Sequence, residues 1–438
     1  MYELEISADR LIDSLMGLAA SEPVFILDSC GVGNLGSHLL IAGIEPLTVD
    51  EVTNADAETT LDWFERYLTD KAQASIFTIS YDIGNKLLGI NPDSCIPPVA
   101  EPDVFLAKFD VLIIHDYQTG ITGLTGNESK FPHLSQKLAS QNGFDIGKNA
   151  VNPTSVRSNY SRKDYLERIE TIKEEIRCGN TYQTNFTQQL SAQLPIETTP
   201  ELIFYRLRRD HPAPFSAYLK RPSSTVVSAS PERFVQINLA RGRISTSPVK
   251  GTRPRGQTPE EDTKLRSELL ASEKDRAENI MIVDLLRNDI GRVAEYGSVI
   301  VEKLCELETH PTFFHLVSTI SGGLKRSVSI PEILKAMFPC GSITGAPKIS
   351  TMRIIDRLEN VPRGLSMGAI GYHIPAGSFG FTGALDMSVA IRTMVVRDRV
   401  ATFNVGGGIV IDSDPEKEYD ESLTKAKALL SAINGHLE

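Results

Sequence analysis

Residues 272–293, SEKDRAENIMIVDLLRNDIGRV, constrain this chain more than any other stretch. Ser272 followed three residues later by Asp275 is a capping-box-like helix start, and the apolar run Ile280, Met281, Ile282, Val283, Leu285 and Leu286 predicts a buried helix. Charge left unpaired in such a helix would carry a large desolvation cost. Yet Asp275 and Glu278 share one face at i,i+3, and Asp284, Arg287 and Asp289 follow, so these groups must be paired, metal-bound or at a wet cleft. Near the other end, Ser413 or Asp414 with Pro415 in the first turn opens a second helix carrying Glu418 and Glu421 at the same spacing. Taken singly, Asp275 reads as a cap, and Glu421 with Lys425 as a surface i,i+4 pair. Two carboxylate pairs on two helices together suggest one hard divalent cation. Oxygen-only ligands suit Mg2+, completed by water and an anionic substrate.

The rest of the composition limits what that substrate can be. The 438 residues carry 56 Asp and Glu against 45 Lys and Arg, a formal net charge of -11, which disfavours nucleic-acid binding and obliges an anionic substrate to find a local cationic pocket. No apolar run approaches the length of a membrane span, and MYELEISADR is acidic where a secretory signal would be basic, so the expected compartment is the cytoplasm. Cys30, Cys95, Cys178, Cys305 and Cys340 are scattered without CxxC spacing, which predicts reduced, mostly buried thiols rather than disulfides or a zinc site.

Several N-terminal features admit a bland reading. Gly31-x-Gly33-x-x-Gly36 after the strand-like PVFILD, with Asp50 beyond, is formally a dinucleotide fingerprint. Gly43 and Pro46 interrupt the helix it requires, so a strand, a glycine turn and a second strand is the stronger reading. Glu51 to Leu68 reads as helical, and Val104 to His115 as a strand. The polar stretch Ser140 to Ser161 marks a boundary between an N-terminal region, 1–150, and a C-terminal domain, 151–438.

Beyond it the signals sharpen. Ser161 and Asp164 open a helix with the stripe Tyr165, Ile169, Ile172 and Ile176. Tyr182 to Leu190 reads as a strand whose polar face, Gln183, Asn185, Thr187 and Gln189, is either solvent-exposed or lines a polar pocket with Gln183. Residues 214–250 read as an antiparallel meander interrupted at Ser230-Pro231-Glu232 and at Pro248-Val249-Lys250-Gly251-Thr252. A lysine there is usually a solvated edge residue, but Pro248 and Gly251 fix the backbone and allow close approach of a ligand, and a desolvated Lys250 would be a nucleophile. His315 precedes an apolar run that reads as helical. Gly341 to Lys348 is a turn-rich loop opening a helix, able to cradle an anion with backbone amides and Thr344, without the ending of a nucleotide-binding P-loop. ALDMSVAIRTMVVRD and RVATFNV read as two long strands, the second running into Gly406-Gly407-Gly408.

The set GNTYQTNF, SASPERF, SPVKGT, DRAENIMIVDLLRNDIGRV, HLVSTISG, GSITGAPK, AIRT, GGGIV and EYDESLTKA resembles the chorismate-utilising family, strongly over residues 160–430 and weakly before them. The resemblance implies a large α/β sandwich of two mostly antiparallel sheets flanked by helices, like anthranilate synthase component I, with the site in the cleft between the sheets. It implies that Glu278 and Glu421 bind Mg2+, with Asp275 and Glu418 behind them through water. Arg392, Tyr372, Thr344, Lys425 and the backbone at Gly251, Gly406 and Gly408 would hold the substrate carboxylates, with Gln183 and Thr252 lining the pocket and His315 beside the ring. SPVKGT is similar to the lysine-containing motif of the aminodeoxychorismate synthase branch, where anthranilate synthases usually carry alanine. Gln183 stands where isochorismate and salicylate synthases carry a water-activating lysine.

That branch implies amination of chorismate to 4-amino-4-deoxychorismate toward 4-aminobenzoate and folate, with Glu232 as acid and Lys250 as covalent nucleophile. No GxCxG nucleophile elbow is present, so ammonia is expected from a glutamine amidotransferase partner subunit. The rivals are anthranilate synthase component I and, from another class, a noncatalytic chorismate sensor, which would not need Glu232, Lys250, Glu278 and Glu421 together. Leu27-Asp28-Ser29-Cys30 and Gly36-Ser37-His38-Leu39 depart from the tryptophan-binding segments of relatives, so the resemblance does not decide whether tryptophan is bound or regulates.

Overall fold

The computed structural model describes residues 1–32, 38–54, 56–69, 73–90, 101–141, 143–144, 152–309 and 313–438. Val24, Phe25 and Ile26 illustrate how the sequence builds it. Val24 and Ile26 pack in the apolar cluster that also takes up Leu11, Leu15 and Phe204 from two helices, whereas Phe25 packs with Phe105, Phe109, Leu219 and Ile370. Alternate side chains of one strand therefore serve a helix layer and a core between two sheets. Strands buried on both faces read as continuous apolar runs rather than alternating ones.

Among the described residues, one sheet has 13 strands and runs from Tyr2–Leu4 at one edge to Gly435–Leu437 at the other; the second has 10 and runs from Val249–Pro254 to Thr48–Val52. Nearly all the pairings are antiparallel. The first 150 residues add strands to both sheets: Val24–Asp28 pairs with Phe215–Lys220, and Ala74–Ile79 with Ala369–Ile374. Val24–Asp28 also pairs antiparallel with Leu39–Ile44, the strand, turn and strand arrangement favoured over a dinucleotide site. Gly33 and Gly36 lie outside the described residues. Among the described residues no helix is long and apolar enough to cross a membrane. Cys30, Cys178, Cys305 and Cys340 are free thiols, of which Cys178 is exposed, and Cys95 lies outside the described residues.

The chain passes from one sheet to the other at points the apolar pattern hides. The run from Val104 is two strands, Val104–Phe109 and Val111–Asp116, placed in different sheets on either side of Asp110. The expected 214–250 meander divides likewise at Pro231–Glu232, and ALDMSVAIRTMVVRD divides into Ala384–Val389 and Thr393–Arg397. Pro231 lacks a ladder donor and Arg392 has φ +48°, so neither continues a strand. These crossings put Glu232 and Arg392 between the sheets.

Other expectations need correction. Thr48–Val52 is a strand, and the helix begins only at Ala57, where the Asp56 carboxylate accepts from the Thr59 amide at 2.8 Å. His315 lies in a strand, Phe313–Gly323, not before a helix; β-branched Val317, Thr319 and Ile320 and partners on both sides favour the extended chain. The helix Glu273–Val293 buries Ile282, Val283, Leu286 and Ile290 but exposes Ile280 and Asp284, so it is buried on one face only.

Candidate active site

The site begins where the two acidic helices start. The Ser272 hydroxyl accepts from the Asp275 amide at 3.2 Å, and the Asp414 carboxylate from the Lys417 amide at 3.1 Å, fixing the first turns of Glu273–Val293 and Pro415–Ala432. Burial raises the pKa of Glu278, and the neighbouring charges of Asp275 and Glu418 raise it further against the pull of Lys250 and Lys274. Burial likewise raises Glu418, to which Glu421 adds. Carboxylates from two helices thus repel one another across a shared space.

Nearby cations offset that repulsion. Lys425 Nζ pairs with Glu421 at 2.8 Å and donates to the Gly406 carbonyl at 3.0 Å; Arg253 pairs with Asp275 at 3.0 Å, Lys274 with Glu278 at 3.9 Å, and the Ser413 hydroxyl donates to Glu418 at 2.7 Å. Glu421 is held below the usual carboxylate range, its burial being outweighed by Lys425, Lys274 and Lys250. Among the described residues no three ligands are already gathered for a metal. The donor chemistry fits Mg2+ all the same: four mutually repelling carboxylates present only oxygens, and a divalent cation would relieve what the lysines now relieve in part.

The glycines locate this space more closely. A Cβ on Gly407 would meet Glu418 Oε2 at 3.2 Å, Lys425 Nζ at 3.5 Å and Glu421 Oε1 at 3.8 Å, so the three side chains converge over that one backbone position. Gly408 faces Gln183, whose Nε2 would lie 2.5 Å from an added Cβ. Gly406 and Gly251 lie against protein instead. A Cβ on Gly406 would strike the Phe186 carbonyl at 1.9 Å, and one on Gly251, at φ +77°, would press on Asp275 and Leu269 at 3.0 Å. Neither position has room for a side chain, and Gly251 brings the Lys250 strand against the helix Glu273–Val293.

Lys250 is half-buried on Val249–Pro254, and its charge acts on Glu232, Glu278 and Glu421 alike. Glu232 is buried, and burial raises its pKa against the Ser342 hydroxyl, Lys250 and the Val249 amide; among the described residues its Oε1 has no hydrogen-bond partner. One strand along, Thr252 Oγ1 lies 2.8 Å from His315 Nδ1, and the His315 and Phe313 ring centroids are 4.3 Å apart with the rings tilted by 49°. The Arg392 guanidinium sits 6.0 Å from the Phe313 ring. Burial alone lowers its pKa, and among the described residues it makes neither a hydrogen bond nor an ion pair. A half-buried arginine in that state is set up to receive an anion.

Of the two readings of the Gln183 strand, solvent exposure does not hold. Gln183, Asn185 and Thr187 are all buried, and among the described residues neither amide atom of Gln183 has a hydrogen-bond partner. Gly345–Ala346 covers this strand as an extra two-residue pairing. Thr344 is fully buried, and its hydroxyl donates to the Cys340 carbonyl at 3.1 Å. Tyr372 lies on Ala369–Ile374 and lines a cavity of about 40 Å3 with Asp28, Phe215 and Asp386. Asp28 in that cavity is bound by Arg208 and Tyr117, each at 2.8 Å. The triple glycine and the GSITG loop stand out in the sequence, but that Gly407 and Ser342 are among their residues facing the site does not, and Glu359 and Arg363 carry no sequence signal.

The sequence profile of the chorismate binding enzyme family matches residues 30–431. Aminodeoxychorismate synthase of Streptomyces pristinaespiralis is 46% identical over 278 residues, 64% of this chain but only 37% of the relative, so the match spans little more than a third of that protein. Anthranilate synthase component 1 of Aquifex aeolicus is 38% identical over 359 residues, 78% of this chain and 70% of its own. In three dimensions, anthranilate synthase component I from Streptococcus pneumoniae superimposes with a TM-score of 0.76 at 26% identity, covering 91% of this chain and 93% of its own. The chain belongs to the chorismate binding enzyme family. Its two-sheet sandwich is that of anthranilate synthase component I.

Proposed function

We propose that the chain aminates chorismate to 4-amino-4-deoxychorismate, with ammonia supplied by a glutamine amidotransferase subunit, as a step toward 4-aminobenzoate and folate. The observation that carries this reading is the position of Lys250, an amine whose charge reaches the buried acid Glu232 on one side and Glu278 and Glu421 on the other. A relative named aminodeoxychorismate synthase supports the same reading. The separate ammonia source is supported by the relative from Aquifex aeolicus, which is named as component 1.

Glu278 and Glu421 would hold Mg2+, with Asp275 and Glu418 behind them. A bound divalent ion would neutralise one substrate carboxylate and draw electron density toward it. Arg392 receives the other carboxylate. Glu232, whose protonated form burial favours, gives its proton to the departing ring hydroxyl, which leaves as water. The Lys250 amine forms a C–N bond to the ring as that C–O bond breaks, and ammonia then displaces it, releasing the product and restoring the lysine. Gln183 lines the pocket with an amide that neither gives up nor takes a proton, so no water is activated there.

The test is the intact-protein mass after incubation with chorismate and Mg2+ in the absence of ammonia. The expected result is an adduct on Lys250 that ammonium discharges, and a fall of about 10^3-fold or more in amination by Lys250→Ala. No adduct together with undiminished activity of Lys250→Ala would remove the covalent step. Anthranilate synthesis is the second reading, favoured by the similarity to anthranilate synthase component 1. It would show as release of pyruvate.

A further inference from the structure

Behind the pocket wall lies a buried ion pair that the chemistry above does not use. Arg363 and Glu359 are 4% and 6% exposed, at the end of the segment that follows the helix Lys348–Leu358. Arg363 Nε donates to Glu359 Oε2 at 2.8 Å and Nη2 to Glu359 Oε1 at 2.7 Å, a two-pronged pairing. The remaining donors reach two backbone carbonyls far apart in sequence: Nη1 to Ile343 at 2.9 Å and Nη2 to Asn185 at 2.7 Å. Glu359 Oε1 in turn accepts from the Thr187 amide at 2.8 Å and the Thr187 hydroxyl at 2.9 Å.

These contacts tie together the two pieces of chain that present Gln183 and Thr344. Ile343 immediately precedes Thr344, and the Asn185 amide donates to the Thr344 carbonyl at 2.7 Å. At Gly345, with φ +151°, an added Cβ would lie 2.0 Å from the Gln183 carbonyl, so the loop is pressed directly on the strand. The N-terminal part of the chain holds the pair from the other side. The Arg363 guanidinium lies 4.5 Å from the Tyr81 ring centroid, the Tyr81 amide donates to the Gly364 carbonyl at 2.8 Å, and the Gly364 amide donates to Asp82 at 3.1 Å. Arg363 therefore has a fixed place, and through two carbonyls it fixes the wall.

We propose that Arg363, locked by Glu359, is a positioning residue that sets the spacing between Gln183 and Thr344 and so the affinity for the substrate that enters between them. This rests on the reading of that wall as part of the chorismate pocket. Lysine at 363 would keep the charge but has no planar fork, so it cannot hold Glu359 in two places and reach both carbonyls. Glutamine at 359 would keep the acceptor for Thr187 while weakening the clamp.

The experiment measures the chorismate Kd by calorimetry on the full chain with Mg2+, beside kcat, KM and Tm. Arg363→Lys should raise Kd and KM about 10-fold, and Glu359→Gln about 3-fold, with kcat changed less than KM. In a double-mutant cycle, Thr344→Ala added to Arg363→Lys should cost less than it does alone, because the wall it belongs to has already moved. Losses that multiply independently would overturn the proposal, as would an unchanged Kd with a lowered Tm, the result for a purely structural pair. Should Arg363→Lys not fold, Glu359→Gln decides by the same Kd and by its own cycle with Thr344→Ala. Wild-type protein that binds chorismate without aminating it would defeat the proposed function and leave this inference standing.

Discussion

Arg363 and Arg392 are both withdrawn from water, and the contrast between them separates scaffold from site. Arg363 makes two bonds to a carboxylate and one to each of two carbonyls, and those partners hold its charged form well above the ordinary range against burial. Arg392 has no such partner among the described residues, and burial alone lowers its pKa. The same division holds for the neutral groups: Thr187 is bonded to Glu359 through both its amide and its hydroxyl, while Gln183, four residues earlier on the same strand, leaves both amide atoms open. Folding satisfies its own polar groups, so groups left wanting where the backbone converges are held for something else.

This comparison can be broken by substitution, with the largest effect expected at the scaffold. Arg363→Met leaves Glu359 buried and unpaired, which should cost about 3–5 kcal/mol of folding stability, read as a fall in the denaturant midpoint. Arg392→Gln should do the reverse: stability unchanged or improved, and the chorismate KM raised about 100-fold by loss of a desolvated cation–carboxylate contact. A loss of stability in Arg392→Gln would show that it too is scaffold. Gly408→Ala tests the wall between them. A methyl group 2.5 Å from Gln183 Nε2 must displace that side chain, and chorismate affinity should fall about 10-fold with a modest change in Tm.

The smallest effect is a shape rather than a size. Burial raises the Glu232 pKa, so its carboxyl keeps its proton to higher pH than an exposed one. The acid is needed protonated, so kcat should hold below that raised pKa and fall about tenfold per pH unit above it. Glu232→Gln should lower the rate and remove that alkaline limb. A limb retained in Glu232→Gln would assign the acid to another group.

Much of the fold could be read from residue patterns, and the failures have a common cause. Caps and helix stripes are local, and Ser161, Ser272 and Asp414 each start the helix expected of them. The sheet crossings are not local. At Asp110 and at Arg392 an apolar run continues across a change of sheet, because strands on either side are buried on both faces and share one composition. The strand carrying His315 reads as a helix in sequence for the same reason, since an unbroken apolar run has no distinguishing period.

The site shows a similar split. Carboxylate pairs at i,i+3 could be recognised because helical spacing alone puts them on one face, and the Gly407 backbone lies beneath Glu418 and Glu421. The close packing at Gly251 and Gly406 could not, because a glycine that lies against a neighbouring helix or strand looks the same in sequence as one in open space. Arg363 and Glu359 escaped notice because the pair acts on carbonyls contributed by residues distant in sequence.

The most direct test of the central claim is the mass of the small-molecule product formed from chorismate, Mg2+ and ammonium by the purified chain. The account predicts chorismate with its ring hydroxyl replaced by an amino group and the enolpyruvyl ether intact. Free pyruvate with 2-aminobenzoate, or chorismate recovered unchanged from protein that binds it, would contradict it.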